Sequence, residues 1–468
     1  MLYLLFMVSM LAAAETDFDA HFTGQTLRFD YYHSGIATEE HISPDEIRLE
    51  GRWPGSRMRL IDDTNLGKYL FEVVDMKTNR VIYSRGFCSI YGEWETTGEA
   101  SKGVWRTFHE SQRFPEPRYP CQLVLKKRLD DNSFRMFYST VIDPKSRFVN
   151  RAPVAPAGSV WTVFENGEAS KKVDILILSE GYTAGEKEQF HKDVIRLTGA
   201  LFNTEPFKSR KKDFNVRAID LTAAESGISN PRKGIWKKSV LGCSFNAFDS
   251  DRYVLSYENK TIREIAAQAD YDALYILFND RKYGGGGIFN LYSTVSAGTE
   301  PSAYIFVHEF GHSFAGLADE YYTSPTSYED YTAPGVEPWE PNVTAYLDKE
   351  NFKWKSLIET GVPVPTPWNK DVFDRFEIKM QKKRAQLIDA KASEETLEAL
   401  FKEVKDSTTA LLKKEKYYGK AGLFEGAAYT SKGMYRSELD CIMFTRNDVP
   451  FCRACRAAIE KVIQLYAE

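Results

Sequence analysis

Two histidines, four residues apart with a glutamate between them, carry the clearest chemistry in this sequence: His308, Glu309 and His312 in the segment SAYIFVHEFGHSFAGLADEYY. In a chain with seven histidines among 468 residues, far less than one such HExxH match is expected by chance. On a helix, positions four apart lie about 40° from each other around the axis and about 6 Å along it, so both imidazoles can reach one ion. Two His ligands suit zinc. Glu309 then falls beside the metal, where it can take a proton from water and pass it to a leaving amine. The competing interpretation is a core helix whose two histidines are merely hydrogen-bonded.

A third ligand must come from elsewhere, and no histidine follows His312 in the chain. A carboxylate is the better choice. An unbroken helix would carry Asp319 about 10.5 Å beyond His312, out of reach. Gly316 changes that, since a left-handed glycine ends the helix and lets Leu317 and Ala318 turn the chain back toward the ion. Asp319 is therefore expected to bind directly and Glu320 to orient a histidine ring, with Glu337 and Glu340 as outside candidates. Further on, Met443 is either the apolar floor of a zinc site or a plain core residue. Tyr435, beside Arg436, is either an oxyanion donor or a packing residue. Cys452 and Cys455 form a lone CxxC, and a disulfide involving Cys441 is preferred over half a zinc ribbon. Cys88 with Cys121 is the expected local pair in the first domain.

Elements that position these residues follow from periodicity. Residues 16–150 contain short strand-like runs such as TLRFDYY, YLFEVVD, RVIYSRGFCSIYGEW, CQLVLKKRL and SFRMFYSTVI, separated by turn signals. An all-β sandwich is expected there, with His21, His33, His41 and His109 as ordinary polar residues. RAPVAPAGS (151–159) resists helix and ladder alike and marks a linker. From residue 159 to 468 buried strands alternate with helical patterns, which predicts an α/β catalytic domain with a mostly parallel sheet. Gly284 to Gly287 belong to no phosphate-binding pattern and read as room for close approach near a ligand or turn, with Gly284 to Ser296 as an edge strand. Residues 371–416, free of Gly and Pro, predict a charged helical hairpin inserted in that domain, with Ser393 capping its second helix. The expectation is a solvated structural insertion rather than a partner-binding arm.

Composition sets outer limits. Hydrophobic residues make up 43% and charged residues 27%, so cores form and disorder is excluded. A net charge of −5 offers no field for a polyphosphate, so nucleic acid is not an expected partner. Met1 to Ala14 (MLYLLFMVSMLAAA) reads as a signal peptide, too short to span a bilayer and ending in small residues. No later apolar run is long enough for a membrane span. Export to the periplasm, the cell surface or the medium is expected.

Several segments together are similar to a known family. LSEGYTAGEKEQF, AAESGISNPRKG, HEFGHSFAGLADEYY, EPNVTAYLDKENFKWKSLIETGVPVPTPW, LFEGAAYTSKGMYRSELDCIMF and FCRAC resemble the zinc metallopeptidases named for cleavage of immunoglobulin A. The resemblance runs from about Ser159 to the end, and the N-terminal β region looks like the companion domain of such proteins. It implies a zincin-like fold with a protein or peptide substrate. His308, His312 and Asp319 become zinc ligands, Glu309 the general base and Met443 the Met-turn residue. The spacing Gly316-Leu317-Ala318-Asp319 resembles the longer Gly-x-x-His ending of other zincins, shifted one residue outward and with Asp in place of His. The expected activity is a zinc-dependent endopeptidase using water activated by zinc. The alternative is a cell-surface glycan- or protein-binding protein with a structural or vestigial metal site.

Overall fold

The structure, a computed structural model, describes residues 17–323 and 335–468; the expected signal peptide lies outside these residues. The N-terminal part holds eight strands: β1 (Phe22–Gly35), β2 (Glu40–Arg52), β3 (Tyr69–Asp75), β4 (Arg80–Phe87), β5 (Arg106–Pro117), β6 (Cys121–Arg128), β7 (Phe134–Ile142) and β8 (Val149–Asn150). They form two sheets, in the orders β5-β1-β2-β8 and β4-β3-β6-β7. Strict alternation builds the core between them. Leu27, Phe29 and Tyr31 of one sheet meet Phe71, Val73, Leu123 and Leu125 of the other, all buried. Three short helices complete this part: α1 (Phe18–His21), α2 (Ile90–Trp94) and α3 (Gly98–Ser101).

Two expectations for this part need correction. The run RVIYSRGFCSIYGEW is not one strand, because Ser89 accepts the Gly92 amide at 3.1 Å and starts α2 immediately after β4. Cys88 and Cys121 are both free thiols. Register explains why: Cys121 pairs with Asp75 at one end of β3, whereas Phe87, next to Cys88, pairs with Tyr69 at the other end. Six residues of strand separate them by about 20 Å, far beyond disulfide reach.

The C-terminal part is built on a six-stranded sheet of β9 (Ser159–Phe164), β10 (Val173–Glu180), β11 (Phe214–Asp220), β12 (Ala273–Phe278), β13 (Gly285–Ile288) and β14 (Tyr292–Ser296). Its order is β13-β14-β12-β10-β11-β9. The four inner strands run parallel, and the two edges, β9 and β13, run antiparallel to their neighbours. The Gly284 to Ser296 stretch is thus a hairpin of two strands, not one. Successive residues of the fully buried β10 serve opposite faces. Ile175 and Ile177 pack toward α4 (Lys187–Leu201), α6 (Ser302–Ala315) and α9 (Arg453–Tyr466). Leu176 and Leu178 pack toward α5 (Asn259–Ala266) and also toward Ile90, Tyr91 and Trp94 of the N-terminal part. One core therefore spans both parts.

The charged stretch forms α7 (Lys370–Asp389) and α8 (Glu394–Leu412), whose cap is Ser393, accepting the Thr396 amide. A small sheet of β15 (Val343–Thr344), β16 (Phe424–Ala427) and β17 (Thr430–Arg436), in the order β15-β17-β16, covers the chain after α6.

Candidate metal centre

Helix α6 carries His308, Glu309 and His312, and its apolar residues Ile305, Phe306, Phe310 and Phe314 fix it against the parallel sheet. It ends at Gly316, whose φ of 59° is left-handed. The amides of Gly316 and Leu317 return to the carbonyls of His312 and Gly311 at 3.0 and 3.2 Å. A side chain at Gly316 would press on Trp339, so glycine answers both the conformation and the space. Reversal brings Asp319 back over the helix. Its Oδ1 lies 3.1 Å from His308 Nε2 and 3.2 Å from His312 Nε2, and the two nitrogens are 3.1 Å apart.

Three donor atoms at mutual distances of 3.1 to 3.2 Å fit one ion. A tetrahedron with bonds of about 2.0 to 2.1 Å has edges of about 3.3 Å. The opposite ring nitrogens are committed elsewhere. His308 Nδ1 donates to the Ile442 carbonyl at 3.0 Å, and His312 Nδ1 donates to the Leu317 carbonyl at 2.6 Å. Each Nε2 lone pair thus faces the cluster. Asp319 Oδ1 is buried yet accepts no aligned hydrogen bond among the described residues, while Tyr429 Oη donates to Oδ2. These three side chains form a donor group of the kind that can hold a metal ion.

Electrostatics agree with mutual charge stabilisation. Burial alone would raise Asp319, but His312 and His308 outweigh it and hold its carboxyl well below the usual range. Burial opposes charge on His312, yet Asp319 lifts it to about 9. Glu309 is pushed up, chiefly by burial and further by Asp319, with the two histidines opposing. No described residue holds its carboxylate by a hydrogen bond or an ion pair. It faces a cavity of about 370 Å³ together with both histidines and Asp319. One wall is the edge strand β13. A Cβ at Gly287 would fall on the Glu309 carbonyl oxygen and within 3.0 Å of His312 Cβ, so these glycines let the strand lie directly on α6. Another wall is the α7–α8 hairpin, through Phe373, Glu377, Arg384 and Phe401. The insertion is therefore part of the cleft rather than only a solvated appendage.

The chain matches the family described as IgA Peptidase M64 over residues 162–463, and the one described as Peptidase M64 N-terminus over residues 17–139. It belongs to the IgA peptidase M64 family. Members of this family are metallopeptidases. No curated protein matches the chain.

Within this M64 chain, the structure gathers His308, Glu309, His312 and Asp319 and sets Met443 beneath them, against Gly311 of α6. Tyr435 is not brought in. It lies on β17 opposite Glu425 and Thr344, edge-on to Tyr346 with ring centroids 5.8 Å apart, and does not line the cavity. Of the two tyrosines on that hairpin, Tyr429, in its turn, reaches the cluster, where it donates to Asp319 Oδ2 and so holds a different role from the oxyanion donor expected of Tyr435. Glu320 does not orient a histidine ring. It is fully buried and points away, toward Asn342 at 3.1 Å and the cysteines of the C-terminus. Backbone carbonyls take the orienting role instead. Glu337 is engaged by Lys353 and the Ala345 amide, while Glu340 lines the cavity away from the donor cluster. No disulfide joins Cys441 to Cys452 or Cys455; all three are free thiols. Residues missed in the sequence are Tyr429, Tyr304, whose hydroxyl is 3.3 Å from His308 Nδ1, and Ile442. Tyr304 stands at i, i+4 spacing before His308 on the same helix face and was open to that rule; no spacing rule marks Tyr429 and Ile442, which reach the site across more than a hundred residues of chain.

Proposed function

We propose that this protein is a zinc-dependent endopeptidase of the zincin type, exported from the cytoplasm. The observation that carries the reading is the convergence of His308 Nε2, His312 Nε2 and Asp319 Oδ1 beside a free Glu309 in an open cleft. Two imidazoles and one carboxylate are a ligand set of catalytic zinc. When bound, zinc supplies Lewis acidity toward water and toward the scissile carbonyl. Glu309 accepts the proton of the attacking water and delivers it to the leaving amine. His308, His312 and Asp319 stay oriented by Ile442, Leu317 and Tyr429 throughout.

A substrate in extended form suits the cleft, whose wall includes the side-chain-free stretch Gly285 to Gly287; the outer side of β13 is itself already paired at Gly285 with Arg252 and Val254. No described helix is long and apolar enough to cross a membrane. Export rests on the apolar Met1 to Ala14 run. The test is digestion of a peptide library by the parent protein and by Glu309→Gln. Cleavage by the parent that a chelator abolishes is expected, with a loss of about 10² to 10⁴ in rate for the variant at unchanged zinc content. A variant that cuts at the parent rate overturns the assignment of Glu309.

A further inference from the structure

Behind the histidine cluster, the side chains of Glu320, Cys441, Cys452 and Cys455 meet in the core, with one ligand atom of each within 4.8 Å of all the others. Each is at most 3% exposed, and none lines the cleft. Cys452 caps α9, Cys455 lies in its first turn, Cys441 precedes Met443, and Glu320 follows Asp319. The distances resemble the edges of a coordination tetrahedron. Cys441 Sγ is 3.8 Å from Cys455 Sγ, and Glu320 Oε1 is 3.5 and 3.3 Å from the Sγ atoms of Cys452 and Cys455. Around zinc, with bonds of about 2.3 Å to sulfur and about 2.0 Å to oxygen, those edges are about 3.8 and 3.5 Å.

Donors surround the sulfurs as they do in metal thiolates. The amides of Met443 and Cys452 point at Cys441 Sγ at 3.4 and 3.2 Å. The Cys455 amide and the Ser437 hydroxyl point at Cys452 Sγ at 3.4 and 3.1 Å. Glu320 supplies a second, independent observation: it is wholly buried, and its Oε2 has no hydrogen-bond partner among the described residues. Burial raises the Glu320 carboxyl, so an ionised carboxylate in this place is held only with a cation beside it. Arg436 is buried close by, but its Nη atoms turn to the carbonyls of Glu425, Gly426 and Leu439 and its plane lies over Phe444 at 3.8 Å.

We propose that Glu320, Cys441, Cys452 and Cys455 form a second, structural zinc site. Thiolate-rich, four-coordinate and closed to solvent, it has the character of a structural rather than a catalytic centre. The ion would staple the chain after α6 to the turn before α9, where the Glu320 amide already donates to the Met443 carbonyl at 2.8 Å. Asp319 and the Ile442 carbonyl, which serve the first site, each adjoin one of these bonded residues. The second site therefore acts as a positioning device for the first.

The test uses the full chain purified without chelator in a non-thiol reductant. A His308→Ala/His312→Ala variant isolates the new site from the catalytic one. It is expected to retain about one zinc per chain, and its cobalt-substituted form to show thiolate-to-cobalt charge-transfer absorption. Adding Cys452→Ser and Cys455→Ser should abolish both. Should those replacements fail to fold, an organomercurial added to the histidine variant is expected to release the zinc, read with a chromophoric chelator. A histidine variant that holds no zinc and shows no thiolate band with cobalt overturns the proposal. So does non-reducing peptide mapping, on protein purified separately without reductant and alkylated at once, that finds Cys441 bonded to Cys452 or Cys455. Failure of peptide cleavage in the parent protein, by contrast, bears on the first site alone.

Discussion

Asp319 owes its usefulness to being held from two sides. Tyr429 takes Oδ2, so Oδ1 is left facing the two histidine nitrogens, and neither rotation of the carboxylate nor loss of the reverse turn is free. Tyr429→Phe should lower zinc affinity at the histidine site by about 10- to 100-fold, the usual effect of removing an orienting partner. Asp319→Ala should lower it further. Competition with a chromophoric chelator measures both, and equal affinity for Tyr429→Phe and the parent would discard the orienting role. Protons compete for the same atoms. His312 in the metal-free site titrates at about 9 because Asp319 favours its charged form over the opposition of burial. Below that pH a proton must leave before zinc binds, so affinity should climb by about tenfold per pH unit toward pH 9 and then level off. Asp319→Asn removes the stabilising charge, and the level region should then begin at lower pH.

At the scale of elements, the contact between β13 and α6 is made by absence of side chains. Gly287→Ala would drive a methyl group into the Glu309 carbonyl and the His312 side chain, and the strand must move away from the helix. Overpacking of this kind costs about 1 to 3 kcal/mol, and here it should also reduce cleavage more than metal content, since it displaces the wall that receives substrate. Thermal unfolding beside kcat/KM checks this; a variant equally stable and active would mean the two elements tolerate separation. The hairpin makes a different demand. Phe401 on α8 lies between the guanidinium groups of Arg446 at 3.7 Å and Arg252 at 4.7 Å, within the cleft wall. Phe401→Ala should raise KM several-fold while leaving zinc content alone. How these elements can be read from sequence follows from the range of the forces that make them. Helix α6 is legible because its two histidines, apolar face and terminating glycine all lie within fifteen residues of one another. Strand β2 was not: EHISPDEIRLEGR is polar, and its Pro44 sits where the pairing with β1 shifts register. Likewise the run from Arg80 to Trp94 keeps strand-like composition, and only the cap at Ser89 betrays the change to helix.

For the whole molecule, the decisive feature is that the β-sandwich closes the second face of the catalytic sheet, with Ile90, Tyr91 and Trp94 sharing a core with Leu176 and Leu178. Nothing in the linker or in either half's periodicity announces that interface, because it is made by pairs of residues distant in sequence. It has an electrostatic support on the sandwich side. His33 is buried between Glu110 and Glu40, at 3.1 and 3.0 Å, and stacks on Tyr91 with ring centroids 3.8 Å apart. Burial opposes charge on His33, yet Glu110 and Glu40 prevail and raise its pKa. Burial likewise opposes charge on Glu40, but His33 and Lys127 bring it down to about 2. The signs fix a window. A lowered carboxylate contributes stability that is present above its unfolded value, about 4.5, and is lost as pH falls toward 2. A raised histidine contributes stability that is complete below its unfolded value, 6.5, and is lost as pH rises through the folded one. The cluster therefore stabilises most between about pH 4.5 and 6.5. His33→Gln breaks a buried charge cluster and should cost about 3 to 5 kcal/mol near pH 5.5, with the difference from the parent shrinking as pH rises past 6.5. Because Tyr91 links this cluster to the catalytic sheet, the loss should show as one transition shared by far-UV circular dichroism and residual peptidase activity. Two separate transitions, or a difference between parent and variant that does not change with pH, would mean that His33 is neutral and that the sandwich stands apart from the catalytic domain.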